Sequence, residues 1–204
     1  MARNWLKTLL QLTTVLVFAS LLHAALRPVE VLEEKVSASP WTERTSFRGL
    51  NFGATQQEVV QRLGKLRCEN LTYAWLTKSG HAFVKCTPTE PSGALVLAGG
   101  AMNSEYTFMD SKLVSVGFDT GGRLDAPSYD TAMGAITERW GEPSRQYKER
   151  DDMGKIRIRA EWVGASVRAE ASSDDRGAFL FALIETKEYQ KTIDQARQTP
   201  TTPF

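Results

Sequence analysis

The amino-acid sequence predicts an α+β fold of two repeated units, each with a short helix packed on an antiparallel β-sheet, behind an N-terminal signal peptide or a single membrane anchor helix. A capped helical segment followed by strands occurs twice, and Gly64 and Gly141 are the corresponding helix stops. The later strands alternate strictly between apolar and charged residues, which is typical of sheets with one packed face and one wet face. Helices that cover the packed face would complete α+β layers.

The N-terminal segment has the layout of an export signal. Arg3 and Lys7 precede residues 8–26, which contain no Lys, Arg, Asp or Glu. As a helix this run would reach about 28 Å, close to the thickness of a bilayer core, so residues 1–26 are either a cleaved signal peptide or an uncleaved anchor. With the basic residues in front of the apolar run, the body lies outside the cytoplasm. The sequence thus predicts a periplasmic or secreted protein or, alternatively, a single-pass inner-membrane protein.

The first unit is predicted over residues 47–125, after a linker at 27–46 that combines prolines, charges and little periodicity. Thr55 and Glu58 have the spacing of a capping box, and Gly64 follows the last apolar residue of that helix. Gly, Pro, Asn and Asp then punctuate short apolar runs. These runs predict strands over residues 71–76, 81–87, 94–98, 105–109 and 112–119, with Asp110–Ser111 as a hairpin turn.

The second unit is predicted over residues 126–186. Tyr129, Met133, Ile136 and Trp140 form an apolar helical stripe. Alternating residues predict strands over 155–163, 166–172 and 178–186, with opposite charges facing each other across the hairpins. Residues 187–204 are predicted to form a polar helix and a frayed tail.

The composition excludes several classes of function. Lys+Arg number 25 and Asp+Glu number 24, for a net charge of +1, so the basic excess that nucleic-acid binding requires is absent. The chain has two histidines and two cysteines, which argues against a metal centre rich in either. We therefore expect no nucleic-acid partner, no metal and no cofactor.

The two cysteines predict a disulfide. Cys68 and Cys86 lie within one unit of a chain that carries an export signal, and thiols in an oxidising compartment normally pair. A reactive thiol is the alternative, because Arg67 and Lys85 are adjacent and a neighbouring cation lowers a thiol pKa.

The order of these motifs resembles a known fold. Phe52-Gly53-x-Thr55, Cys68, Cys86 and the aromatic strand around Tyr106 are similar to the helix plus four-stranded unit of the β-lactamase-inhibitor-protein-like fold. The small lipoproteins of the outer-membrane β-barrel assembly machinery share that fold. Residues 140–143, Trp-Gly-Glu-Pro, resemble the second unit of its tandem versions. The resemblance implies a non-enzymatic inhibitor or assembly scaffold.

The sequence shows no catalytic signature, since His81 is the one histidine after the signal and no G-x-S-x-G motif accompanies it. We predict a non-enzymatic envelope module that binds another protein. Tyr and Trp dominate interface hot spots, so the candidate anchors are Tyr73, Trp75 and Tyr106, each of which is also a plausible core residue.

Two other functions stay open at this point. One is an accessory subunit of a membrane complex, held by an uncleaved helix over residues 8–26. The other is a carboxylate-dependent hydrolase of envelope polymers, for which Asp151–Asp152 and Asp174–Asp175 are the adjacent acidic pairs.

Overall fold

The computed structural model describes residues 30–38, 41–90, 95–121, 125–151 and 153–198. The predicted signal or anchor segment, residues 1–26, and the predicted tail after residue 198 lie outside these ranges. Of the described residues, 47% are in strands and 22% are in helices. Among them no helix is both long and apolar enough to span a membrane.

Twelve strands, three α-helices and one 3₁₀ helix make up this part of the chain. In order they are β1 (Glu30–Val36), β2 (Ser46–Phe47), β3 (Leu50–Asn51), α1 (Gln56–Leu63), β4 (Leu66–Asn70), the 3₁₀ helix (Thr77–Ser79), β5 (Phe83–Pro88), β6 (Leu95–Leu97), β7 (Gly100–Met109), β8 (Lys112–Asp119), α2 (Tyr129–Trp140), β9 (Arg145–Arg150), β10 (Ile156–Val163), β11 (Val167–Ser173), β12 (Phe179–Thr186) and α3 (Lys187–Gln198). Ten strands form one antiparallel sheet in the order β1-β9-β10-β11-β12-β8-β7-β5-β4, with β6 paired to β7. The short strands β2 and β3 pair separately.

The predicted fold class of two repeated helix-on-sheet units is wrong. Strands β8 and β12 pair side by side, with Val116 opposite Ile184, so the strands assigned to two units form one continuous sheet. A third helix, α3, packs through Tyr189 and Ile193 on the sheet face that α1 and α2 leave free. Capping and alternation are local signals, and they contain no information about which distant strands pair.

Helices α1 and α2 form where the sequence predicts them. Thr55 and Glu58 make the reciprocal capping box of α1, and Gly64 ends that helix with a positive φ of 83°. Ser128 caps α2 by accepting the backbone N–H of Thr131, and Gly141 ends it with a φ of 84°. The positive φ at both ends explains the glycines, because other residues adopt it only at a cost.

The main core lies between the sheet and these two helices, on what we call the covered face. Its largest fully buried side chains are Trp162, Tyr106, Tyr129, Phe108 and Phe179. The opposite, open face has a smaller cluster beneath α3. It contains Leu76, Phe83, Met109 and Val114, packed against Trp75, Tyr189 and Ile193. The remainder of the open face carries mainly polar and charged side chains, together with Phe181 and Leu183 of β12.

The described part of residues 27–46 is not a linker. Strand β1 pairs with β9, with Glu34 opposite Tyr147. Trp41 is 8% exposed, and its indole Nε1 donates to the Trp140 carbonyl oxygen at 2.6 Å. The carboxylate of Glu43 accepts the backbone N–H of Ser166 at 3.1 Å. All three contacts join residues about 100 positions or more apart, so prolines and charges within the segment could not reveal them.

One predicted strand is absent, and the strands that were not predicted include β4 and β9. Residues 71–76 form a turn that leads into the 3₁₀ helix, because the Tyr73 carbonyl oxygen accepts the N–H groups of Leu76 and Thr77. Strand β9 was not predicted, because its sequence, RQYKER, has no apolar alternation. On the open face its side chains are charged or hydroxylated and pair with side chains of β10. Polar pairs thus take the place of the apolar alternation by which strands are normally predicted.

Candidate functional site

The structure separates the three predicted anchor residues. Tyr106 is 0% exposed and lies in the core, opposite Cys86 on β5 and Val116 on β8. Burial raises the pKa of its hydroxyl, against an opposing effect of the Arg48 charge. Tyr106 therefore cannot contact a partner in the folded protein, and it belongs to the core.

Tyr73 and Trp75 lie together at the surface. Their ring centroids are 6.0 Å apart and the ring planes differ by 11°, so the rings are stacked. The guanidinium carbon of Arg197, in the last turn of α3, lies 5.2 Å from the Trp75 ring centroid. Tyr73 is 56% exposed, whereas Trp75 is partly buried against the cluster beneath α3. We call Tyr73, Trp75 and Arg197 the aromatic stack.

The local sequence explains how the stack is held. Leu76 is 2% exposed and inserts into the cluster beneath α3, which anchors the turn that carries both aromatic rings. Ile193 packs on the same cluster and lies one helical turn before Arg197. The turn and α3 are thus fixed to one another through shared apolar contacts. Sequence reasoning named the two aromatic residues but missed Arg197, because nothing local links it to Trp75.

Two depressions lie next to one another on the open face. The central groove has a volume of about 500 Å³ over the junction of β8 and β12, and its main lining residues are Glu105, Gly117, Asp119, Phe181 and Leu183. The polar basin has about 510 Å³ over β4, β5 and β7. It is lined mainly by Arg67, Glu69, Lys85, Glu90 and Asn103, and it shares Glu105 and Asp119 with the central groove.

Carboxylates dominate the charge of the basin. Lys85 Nζ lies 3.2 Å from Glu105 and 3.4 Å from Glu69. The hydrogen bond and the charge of Glu105, followed by those of Glu69, raise the pKa of Lys85. Two cations, Arg67 and Lys85, face the four carboxylates of Glu69, Glu90, Glu105 and Asp119, so the basin has two excess negative charges.

The rest of the open face, over β9 to β12, holds a network of ion pairs. They are Arg145–Glu161 at 2.7 Å, Arg159–Glu170 at 2.6 Å, Arg168–Glu185 at 2.6 Å and a short Arg159–Glu149 contact. Opposite charges pair across these hairpins as predicted, although in the β10–β11 register Glu161 lies directly opposite Glu170 and the Arg159–Glu170 pair is diagonal. Each of these charges has a partner within the network.

Two glutamates of this network are expected to respond to pH in opposite directions. Desolvation opposes ionisation of Glu161, but hydrogen bonds from Arg145 and Tyr147 outweigh it and hold its pKa below 4.5. Its contribution to stability is therefore present above pH 4.5 and is lost as the pH falls through the folded-state pKa. Burial raises the pKa of Glu185 above 4.5 despite Arg168. Its contribution is present below pH 4.5 and is lost as the pH rises through the folded-state pKa.

Urea unfolding at pH 7 and pH 3 of two matched variants tests this expectation. Relative to the wild type, Glu161→Gln should lose stability at pH 7 and show a smaller loss on acidification. Glu185→Gln keeps an oxygen that can accept from Arg168, so it should be more stable than the wild type at pH 7 and equal to it at pH 3. The same response from both variants would contradict the opposite shifts.

One carboxylate of each acidic pair considered for a hydrolase, Asp151 and Asp174, stabilises a turn. Asp151 accepts the N–H groups of Lys155 and Met153, which lower its pKa against desolvation. Desolvation also opposes ionisation of Asp174, but the N–H groups of Ala178 and Arg176 outweigh it and lower its pKa. A general acid needs a raised pKa, so these shifts have the wrong direction for that role. Asp152 lies outside the described residues.

The remaining side chain considered in connection with catalysis is His81. Its Nδ1 lies 2.6 Å from Asp110 Oδ2, and Asp110 Oδ1 also accepts the N–H of Ala82 at 2.9 Å. This pair fastens the start of β5 to the β7–β8 turn. Among the residues of the described ranges, no group of three or more His, Cys, Asp or Glu side chains could hold a metal ion.

The predicted disulfide between Cys68 and Cys86 is present, with an S–S distance of 2.08 Å. It joins the edge strand β4 directly across to β5. The alternative of a reactive thiol is wrong, because both cysteines are used in this bond. A structural disulfide is consistent with an oxidising compartment outside the cytoplasm.

Comparison with known proteins gives this chain no family. No family model matches it, and no curated protein or solved structure is significantly similar to it. The resemblance to the β-lactamase-inhibitor-protein-like fold consequently stays a prediction from short motifs.

Proposed function

We propose that this protein is an exported, non-enzymatic module of the cell envelope that binds another protein, as an inhibitor or an assembly scaffold. The aromatic stack is the observation that carries the proposal. It holds a Tyr ring that is more than half exposed, braced by a Trp ring and an Arg guanidinium. The Cys68–Cys86 disulfide supports the exported location.

The stack has the chemistry of an interface hot spot. Tyr, Trp and Arg are the residue types most enriched among residues that dominate binding energy. An aromatic anchor binds best when it is already fixed, because ordering a free side chain on association costs free energy. Here Trp75 is fixed from two sides, by Arg197 and by the cluster beneath α3. Tyr73 rests on Trp75 and presents its exposed surface to a partner.

Tyr73→Ala is expected to reduce partner capture by about tenfold or more, while it changes the free energy of unfolding by less than about 0.5 kcal/mol. The stability is retained because Tyr73 is exposed and lies outside both apolar clusters. The measurement is chemical cross-linking of the immobilised protein in envelope extract, followed by mass spectrometry of the captured proteins.

The matched control is Val96→Ala, which truncates a side chain that is 54% exposed on β6. It should capture the same proteins as the wild type. Equal capture by Tyr73→Ala and the wild type would show that the stack is not the binding surface. Loss of capture together with a large loss of stability would assign Tyr73 a structural role.

A further inference from the structure

We propose that the central groove binds an extended segment of another protein in which lysine or arginine alternates with apolar residues. This inference rests on the proposed protein-binding function but places a second contact in the central groove, which shares no residue with the aromatic stack. Its support comes from a glycine in the groove floor, from the apolar lining and from the charge of the rim.

Gly117 lies in the middle of β8 where folding does not require a glycine. Its φ is not positive, and a Cβ built on it would lie 3.7 Å from Leu183 Cδ1 and 3.9 Å from the Ala182 carbonyl oxygen. These are ordinary van der Waals distances, so a methyl group would fit. Glycine weakens a strand interior, and its presence there often marks a place where another backbone or a ligand approaches closely. We infer that the absent side chain leaves room for such a ligand.

The neighbours of Gly117 make an apolar floor with an acidic rim. Leu183 on β12 and Glu105 on β7 lie directly opposite Gly117 on its two sides. Phe181 lies opposite Asp119 in the next row. Leu183 and Phe181 are only partly buried, so their apolar surface faces the groove.

Charge complementarity identifies the occupant. The rim carboxylates of Glu105 and Asp119 continue into the polar basin, where carboxylates outnumber cations by two. An extended chain directs successive side chains to opposite sides. A segment of alternating basic and apolar residues would therefore place apolar side chains over Leu183 and Phe181 and bring its cations to the rim and basin.

Three labelled peptides test this proposal by fluorescence anisotropy with the disulfide-bonded protein. They alternate lysine with leucine, glutamate with leucine, and lysine with serine. We expect the lysine–leucine peptide to bind at least about tenfold more tightly than either of the others. Its affinity should fall as salt is added, because the rim is exposed to solvent.

Variants of the protein locate the site. Gly117→Val fills the groove and should weaken binding of the lysine–leucine peptide by about tenfold or more, with no loss of thermal stability. Gly134→Val, on the exposed surface of α2 with open space around it, is the matched control and should bind as the wild type does. Glu105→Gln should weaken binding and reduce its salt dependence.

The outcomes separate this inference from the proposed function. Tyr73→Ala should bind the lysine–leucine peptide normally, so its defect in partner capture and the peptide defect of Gly117→Val are independent results. Equal binding of the glutamate–leucine peptide, no binding of the lysine–leucine peptide, or normal binding by Gly117→Val would overturn the groove proposal. Sedimentation gives a further outcome that would overturn it: a wild-type dimer that becomes a monomer in Gly117→Val. The occupant of the groove would then be a second copy of this chain.

Discussion

Trp41→Ala is expected to lower the free energy of unfolding by about 3 kcal/mol or more. The indole of Trp41 is nearly buried in the main core, and its Nε1 donates to the Trp140 carbonyl oxygen at the end of α2. Truncation leaves a cavity and a buried carbonyl oxygen without this donor, and both effects destabilise the folded state. A single substitution in a segment that looks like a linker should thus act like a core mutation.

Urea unfolding followed by far-ultraviolet circular dichroism measures this effect without relying on tryptophan fluorescence. Val36→Ala is the control, because Val36 belongs to the same N-terminal segment but is 68% exposed on β1. It should change the free energy of unfolding by less than about 0.5 kcal/mol. Similar small effects of both variants would show that Trp41 does not pack against the core.

Removing the disulfide is expected to lower the free energy of unfolding by about 3 kcal/mol, the chain-entropy value for a loop of this size. The bond closes a loop between residues 18 positions apart and ties the edge strand β4 to β5. The double variant Cys68→Ala, Cys86→Ala should therefore unfold at a lower urea concentration than the oxidised wild type.

Reduction of the wild-type protein separates the cross-link from the packing of the two side chains. Cys86 is fully buried, so its truncation adds a packing loss that reduction does not cause. We expect the reduced wild type to lie between the oxidised wild type and the double variant. Mass spectrometry with and without reductant checks the bond itself, and two free thiols in the unreduced protein would rule it out.

Several elements were predictable from the sequence because their signals are local. The capping box of Thr55 and Glu58 predicted α1, and the apolar stripe ending at Trp140 predicted α2. Asp110 and Ser111 have positive φ angles of 49° and 66°, as the two central residues of a tight hairpin turn require. Each of these features depends on residues a few positions apart, so the sequence pattern contains the whole interaction.

The candidate site was only partly predictable. Tyr73 and Trp75 were named from residue type, but their stacking depends on a turn where the apolar pattern had predicted a strand. Tyr106 was named for the same reason and is buried, because strand alternation does not show which face a helix will cover. The central groove had no sequence signal, since Gly117 and Leu183 meet only through the pairing of β8 with β12.

The sequence by itself determined the local elements of this protein: two capped helices, alternating strands, the β7–β8 turn and a pair of cysteines able to bond. Only the tertiary structure decided that β8 and β12 join the strands into one sheet, that Trp41 belongs to the core and that Arg197 completes the aromatic stack. The physical reason is that helix capping and strand alternation depend on neighbouring residues. Burial of a face, a pairing register and a surface stack are instead decided by apolar area and hydrogen bonds shared between distant parts of the chain.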